Sequence, residues 1–100
     1  MVEAANPDEM ALKQAMGRAI AHARVAAGFT SQAAFSRAID VRFQYMSRVE
    51  RGEENLTLET LAKMTGVLRV SMPDFLNSVA KELSNPSDPP KTRRGRPPAA

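Results

Sequence analysis

The chain has 100 residues, a formal net charge of +3 at pH 7, and neither Cys nor Trp. This length allows one domain with a small core, and the lack of Cys excludes disulfides, thiolate metal sites and thiol nucleophiles. The single His22 has no carboxylate at ligand spacing, so we interpret it as a solvated or phosphate-facing side chain. Few aromatic residues and many Ala and Met residues favour closely packed short helices and predict an all-α fold.

Two helices are predicted in the first 39 residues. Residues 1–7 are small and polar, so we expect them to be disordered. Apolar residues at helical spacing, with acidic residues in the first turn, predict the first helix over residues 8–27. Ser31 can cap a short second helix over residues 32–39. The side chains predicted to be buried on this second helix are Phe35, Ala38 and Ile39.

The third helix, predicted over residues 43–51, has an apolar and a polar side. With Met46 taken as inward and about 100° per residue, Val49 and Glu50 fall on the inward side. The opposite side carries Gln44, Ser47, Arg48 and Arg51. Only residues 40–42 join this helix to the second one, and so short a link fixes a steep crossing angle.

The polar side of the third helix has two interpretations. A steeply crossed helix pair presents its second helix as a ridge that fits the DNA major groove, where Gln can pair with adenine and Arg with guanine. Alternatively, the polar side is an ordinary solvated helix face, which is the favoured interpretation when periodicity alone is considered.

The fourth and fifth helices complete the predicted domain. Thr57 can cap the fourth helix, which runs to Leu68. Ser71, with Asp in the capping-box position and Pro73 in the first turn, opens the fifth helix, which continues to about residue 83. The apolar positions of the fourth helix are Leu58, Leu61, Met64, Thr65 and Leu68. Those of the fifth helix are Phe75, Leu76, Val79 and Leu83.

Residues 84–100 form a predicted disordered tail, because they hold five of the seven Pro residues and no large apolar side chain. Residues 1–83 carry ten basic and ten acidic side chains, so the excess positive charge lies in this tail. Its "RRGRPP" run resembles an AT-hook, a motif that lies in the minor groove of A·T-rich DNA. The residues of this resemblance are Arg94, Gly95, Arg96 and Pro97. The alternative is a solvated basic tail that raises nonspecific DNA affinity by counterion release.

Four segments in this order and spacing resemble the Cro and phage-repressor type of helix-turn-helix, the Xre family. They are "MGRAIAHAR" at 16–24, "SQAAFSRAI" at 31–39, "YMSRVERG" at 45–52 and "LTLETLAKMTGVLRVSMPDFL" at 56–76. The resemblance implies a lambda-repressor-like bundle of five short helices over residues 8–83, in agreement with the helices predicted above.

The same resemblance implies roles for particular residues. Gln32 takes the position that contacts a phosphate or braces the recognition helix. Arg24 and Glu50 take the positions of a partly buried ion pair between the first and third helices. The positions that face bases are occupied by Phe43, Gln44, Ser47 and Arg48. Arg51, on the same polar side, is a further candidate for a phosphate contact.

Three features depart from the family pattern. One additional residue separates Gly28 from Gln32, which predicts a longer first turn. Asp40 replaces the usual turn Gly, although Asp tolerates the left-handed conformation. Arg42 replaces the usual capping Ser or Thr and can hold a phosphate instead. For Phe43, contact with a thymine methyl group and packing against the second helix are equally open.

The fifth helix is the candidate dimerisation element. We expect Phe75 and Leu76 to close the domain's own core, whereas Val79 and Leu83 are predicted to lie beyond it and to form a two-fold contact. Such a homodimer would present two recognition helices about 34 Å apart to a near-palindromic operator.

The main hypothesis is therefore a sequence-specific DNA-binding transcriptional regulator, a repressor that binds double-stranded DNA as a dimer. The alternative is a protein-binding adaptor, such as an antitoxin or coactivator, whose partner is a toxin or polymerase. We expect no enzyme, cofactor or metal, because no paired carboxylates, nucleophile and base or phosphate-binding Gly loop can be assembled. With no signal peptide and no apolar run near about 20 residues, a cytoplasmic protein without membrane contact is expected.

Overall fold

A computed structural model describes residues 7–90 and has five α-helices and no strand within that range. The helices are α1 (Pro7–Ala26), α2 (Gln32–Ala38), α3 (Phe43–Glu50), α4 (Leu58–Leu68) and α5 (Met72–Ser84). The predicted all-α fold is confirmed, and each helix starts and ends within one residue of its predicted bounds.

Side-chain caps begin three of the helices. The hydroxyl groups of Ser31, Thr57 and Ser71 each accept a hydrogen bond from the backbone N–H three residues later, at 3.0 to 3.1 Å. These bonds satisfy N–H groups that a helix start leaves unpaired. Arg42 is the N-cap residue of α3, and its side chain forms no capping hydrogen bond. Because Arg stands here in place of the family's usual Ser or Thr, this helix start has no side-chain cap.

The turn between α2 and α3 contains a left-handed residue. Asp40 has a φ of 60°, as its position in place of a turn Gly requires. Asp pays less than most residues for this conformation because its short polar side chain can bond locally. The Val41 N–H donates to the Ser36 carbonyl at 2.9 Å, which closes the end of α2 and sets the direction in which α3 starts.

All five helices contribute side chains to the core, and the most extensive packing is between α1 and α5. Its largest fully buried apolar side chains are Ile20, Phe35, Ile39, Met46 and Met64. All of them come from positions with helical periodicity, so burial of their apolar surface supplies the main stabilisation of the bundle.

Three predictions about the core are wrong. Val79 does not lie beyond the core and is only 4% exposed, because it follows Phe75 by one turn on the face that packs against α1. Leu76 is 49% exposed, since it points about 100° away from Phe75. Ala38 is exposed. Val79 can therefore no longer be a dimer contact, whereas Leu83 remains on the surface, 45% exposed.

The segment after α5 returns to α1 and is held there. Arg18 Nε donates to Glu82 Oε1 at 2.9 Å, and the same carboxylate accepts from the Ser87 hydroxyl at 2.8 Å and the Ser87 N–H at 3.1 Å. His22 Nε2 lies 3.0 Å from Ser87 Oγ and 3.1 Å from the Asp88 carbonyl oxygen. We call these residues the C-terminal clasp. These contacts fall within the first residues of the predicted tail, which begins at Ser84, the last residue of α5.

Acid should weaken the clasp. Burial raises the pKa of Glu82, but hydrogen bonds from Arg18 and Ser87 outweigh burial and lower this pKa from 4.5 to about 2. A pKa that is lower in the folded state stabilises the fold above the unfolded-state pKa, and that stabilisation is lost as the pH falls. We expect the free energy of unfolding to fall less between pH 4.5 and about 2 in Glu82→Gln than in the wild type. Urea titrations at each pH measure the free energy of unfolding. Parallel pH profiles for the wild type and Glu82→Gln would contradict the prediction.

Candidate nucleic-acid interface

The α2–α3 pair exposes one side of α3 and buries the other. Met46 and Val49 are buried in the core, whereas Gln44, Arg48 and Arg51 are exposed. Ser47 lies between them and is half-buried. The predicted division of α3 into an inward and an outward side is thus confirmed. The outward side is exposed, so a partner can contact it.

Phe43 belongs to the outward side. It is 48% exposed and is absent from the set of side chains packed on the core. About half of the ring is thus accessible to a partner, and both placements predicted for Phe43 stay open. Arg42, immediately before it, is also exposed.

Two arginines of this side are held by side chains of the same region. Arg48 Nε donates to Glu54 Oε2 at 2.6 Å. Arg51 donates to Ser47 Oγ at 2.6 Å and to Glu53 Oε1 at 3.1 Å, and the hydrogen bond from Arg51 lowers the pKa of Glu53. Neither acidic partner was predicted from the sequence, although both follow Gly52 directly and their position beside a basic helix was a usable signal.

A buried ion pair fixes α3 from behind. Arg24 is fully buried, and its guanidinium donates to both oxygens of Glu50, at 2.7 and 3.2 Å. A third hydrogen bond runs from Arg24 Nη1 to the Phe29 carbonyl oxygen at 2.7 Å. Gln32 Nε2 also donates to Glu50, at 2.8 Å. The ion pair implied by the family resemblance is present, and Gln32 links the start of α2 to the Glu50 carboxylate on α3.

The backbones of α1 and α3 meet at Gly17. A Cβ atom built on Gly17 would lie 2.6 Å from the Val49 carbonyl oxygen and 2.7 Å from that of Glu50. No side chain fits between the helices at this point, so only Gly allows the approach. The C-terminal end of α3 is therefore fixed by direct contact with α1 as well as by the ion pair. No role for Gly17 was predicted from the sequence, because a Gly inside a helical pattern does not reveal what packs on it.

The remaining site predictions lie outside residues 7–90. They concern the tail residues Arg94, Gly95, Arg96 and Pro97, and the terminus over residues 1–6. Within the described range, no group of three or more acidic or His side chains is placed to hold a metal ion. In the same range, no helix combines the length and the apolar character that crossing a bilayer requires.

Comparison with known families identifies a helix-turn-helix domain. A protein-family model described as helix-turn-helix matches residues 20–75, which span the end of α1 through the first turn of α5. The matched range is more than half of the chain and includes the whole α2–α3 pair. No curated protein matches the chain.

Proposed function

The chain belongs to the Cro and C1 type of helix-turn-helix proteins, and on that premise we propose that it is a sequence-specific DNA-binding transcriptional regulator. It acts by binding, without catalysis, and represses transcription from a near-palindromic operator that it contacts as a dimer. We propose the cytoplasm as its place of action. The observation that carries this proposal is the outward side of α3, which combines exposed Gln and Arg side chains with a rigid support.

The outward side of α3 matches the chemistry of base edges in the major groove. Gln44 can form paired hydrogen bonds with adenine, Arg48 with guanine, and Ser47 with several bases. Phe43, which is 48% exposed, suits contact with a thymine methyl group. Each bidentate contact discriminates against a wrong base by about 1–3 kcal/mol.

Arg48 must exchange its present partner for a base. Its ion pair with Glu54 leaves 45% of the Arg48 side chain exposed, and exposed pairs contribute only about 0–1 kcal/mol. A guanine contact is worth more than that, so binding to the right base favours the exchange. Gln32, Arg42 and Arg51 are proposed to contact phosphates, with Arg51 leaving Glu53 in the same way.

The dimer contact is proposed for the outer face of α5. Leu83 and Leu76 are 45% and 49% exposed, and Ala80 between them is exposed as well. Their spacing places them on one stripe of the helix, where each copy can cover the other. Leu76 takes the place of Val79 in this proposal, because Val79 is used within the core.

Selection of binding sites from random DNA duplexes tests the function. We expect the wild-type protein to enrich one near-palindromic motif. We expect Gln44→Ala combined with Arg48→Ala to lose the preference at the corresponding bases, with affinity for the selected site reduced by about 30-fold or more. Lys81→Ala, an exposed basic residue on α5, is the matched control and should select the same motif.

Other results of this selection would count against the proposal. If no motif is enriched, sequence-specific recognition is excluded and the adaptor function, with a toxin or polymerase as partner, replaces it. An enriched motif that the double substitution leaves unchanged would exclude α3 as the reader. An enriched motif without two-fold symmetry would contradict the dimer alone.

A further inference from the structure

The hydroxyl group of Ser47 is bonded differently from three other serine hydroxyls inside helices. Ser36, Ser78 and Ser84 each donate to a carbonyl oxygen of their own helix, at 2.8 to 3.2 Å, which is the usual arrangement for a helical serine. Ser47 Oγ instead accepts a hydrogen bond from Arg51 Nη1 at 2.6 Å. Among the residues that the structure describes, no group accepts a hydrogen bond from Ser47, so its O–H is available to a partner.

Arg51 holds this hydroxyl from within the same helix. It is the C-cap residue of α3 and lies four positions after Ser47, so the two side chains share one side of the helix. Its Nη2 atom donates to Glu53 Oε1 at 3.1 Å, which gives the guanidinium a second anchor. A bond from a charged donor is shorter and stronger than one between neutral groups. The Ser47 oxygen is therefore held by a cation on the outward side of α3.

The bond from Arg51 decides what the Ser47 hydroxyl can offer to a partner. A free hydroxyl can donate one hydrogen bond and accept two. The guanidinium occupies one acceptor position and polarises the O–H group, which strengthens it as a donor. Another donor approaching the oxygen would bring its positive hydrogen close to the guanidinium charge, which is unfavourable. The hydroxyl is therefore suited to donate a hydrogen bond and poorly suited to accept a second one.

A side chain that only donates distinguishes one base from the other three in the major groove. Guanine offers the acceptors N7 and O6, adenine offers N7, and thymine offers O4. The edge of cytosine offers only an amino donor. An unconstrained serine can adapt to any of these edges, because its hydroxyl can rotate and either donate or accept. A serine fixed as a donor rejects cytosine.

We propose that Arg51 is a positioning residue that fixes Ser47 as a hydrogen-bond donor, so that Ser47 rejects cytosine at the base it faces. This inference rests on the proposed function and adds a specificity to it. The proposed phosphate contact of Arg51 is compatible with this role. Leaving Glu53 frees Nη2, whereas Nη1 can keep its bond to Ser47 within α3. One guanidinium then links a phosphate to the hydroxyl that reads the adjacent base.

Selection of sites from random duplexes tests the inference when it is repeated with two variants. Ser47→Ala identifies the position in the motif that Ser47 reads, because only that position should lose its preference. We expect the wild type to disfavour cytosine there about tenfold relative to the best base. In Arg51→Met we expect less than about threefold, because the Ser47 hydroxyl can then turn to the Phe43 carbonyl oxygen as other helical serines do.

Two control variants separate positioning from charge. Arg42→Met removes another exposed arginine with a proposed phosphate contact, and it should weaken binding to all sequences while the rejection of cytosine persists. Glu53→Gln removes the charged partner of Arg51 but not the Nη1 bond to Ser47, and it should also retain the rejection. Far-ultraviolet circular dichroism confirms that each variant is folded.

Three results of the selection would overturn the inference. The first is equal rejection of cytosine by the wild type and by Arg51→Met. The second is a Ser47→Ala variant that alters no position of the motif, and the third is a wild type that prefers cytosine at the position read by Ser47.

A crystal structure of Arg51→Met tests the positioning without DNA. We expect Ser47 Oγ to lie about 3 Å from the Phe43 carbonyl oxygen in this variant, in place of its present bond to Arg51. A Ser47 hydroxyl that keeps its present orientation would show that Arg51 does not hold it, and the inference would be wrong.

The selection also separates this inference from the proposed function. If no motif is enriched, the proposed function fails, and base reading by Ser47 fails with it. If a motif depends on Gln44 and Arg48 but cytosine is rejected equally with and without Arg51, the domain reads DNA and Arg51 does not position Ser47.

Discussion

Glu50→Ala should lower the free energy of unfolding by about 3–5 kcal/mol, because it leaves the charge of Arg24 buried without its carboxylate. Arg24 is fully buried and the Glu50 side chain is 6% exposed, so water cannot replace the lost partner without opening the core. Gln32 would lose its acceptor at the same time. Urea denaturation at pH 7, followed by circular dichroism, measures the change.

An exposed ion pair provides the matched control. Lys13 and Glu9 are 3.1 Å apart on α1, with side chains 28% and 53% exposed, and Lys13→Ala should cost less than about 1 kcal/mol. Arg24→Met combined with Glu50→Leu removes both charges, and we expect it to recover part of the loss. If Glu50→Ala is no more destabilising than Lys13→Ala, the buried pair does not hold α3 in place.

Gly17→Ala should destabilise the protein by about 1–3 kcal/mol even though Ala is the better helix former. The new methyl group would lie 2.6 and 2.7 Å from two backbone carbonyl oxygens of α3, which cannot rotate away as a side chain can. The helices must therefore move apart, and the core between them loses contact. Thermal and urea denaturation measure this loss.

Gly66 offers the opposite case within the same protein. It lies inside α4, and a Cβ atom built there meets nothing within 4 Å. Gly66→Ala should therefore stabilise the protein by about 0.5–1 kcal/mol through helix propensity alone. The same sign of change at Gly17 and Gly66 would contradict a direct backbone contact between α1 and α3.

Local chemistry made the helices predictable. Ser31, Thr57 and Ser71 have the residue type and spacing of helix caps, and all three accept the expected bonds. The outward side of α3 was predictable for the same reason, since it follows from the period of one helix. The Arg24–Glu50 pair was available only from the family resemblance, because the two residues are 26 positions apart.

The core was harder to predict where two positions flank the inward direction equally. On α2, Ser36 and Ala38 lie on either side of the line through Phe35 and Ile39, so periodicity cannot choose between them. The structure buries Ser36, whose hydroxyl donates to the Ala33 carbonyl oxygen at 2.8 Å and so remains satisfied. Only the neighbouring helices decide such cases, and one sequence does not contain that information.

The C-terminal clasp was unpredictable for a different reason. Arg18 and Glu82 are 64 positions apart, and charged surface residues follow no period that would relate them. The segment after α5 also has the composition of disorder, since its Pro residues cannot continue a helix. Its path depends on a few specific side-chain bonds, which composition does not reveal.

The acidic residues beside the recognition helix bear on how quickly this protein would find its site. If Arg48 reads a base as proposed, it gains little by leaving Glu54 at DNA that offers no matching base. Nonspecific complexes held mainly by phosphates are then short-lived, because part of the positive charge remains neutralised by the protein itself. A regulator of this kind spends less time on each wrong position, and its target search along a genome is faster for a given specific affinity.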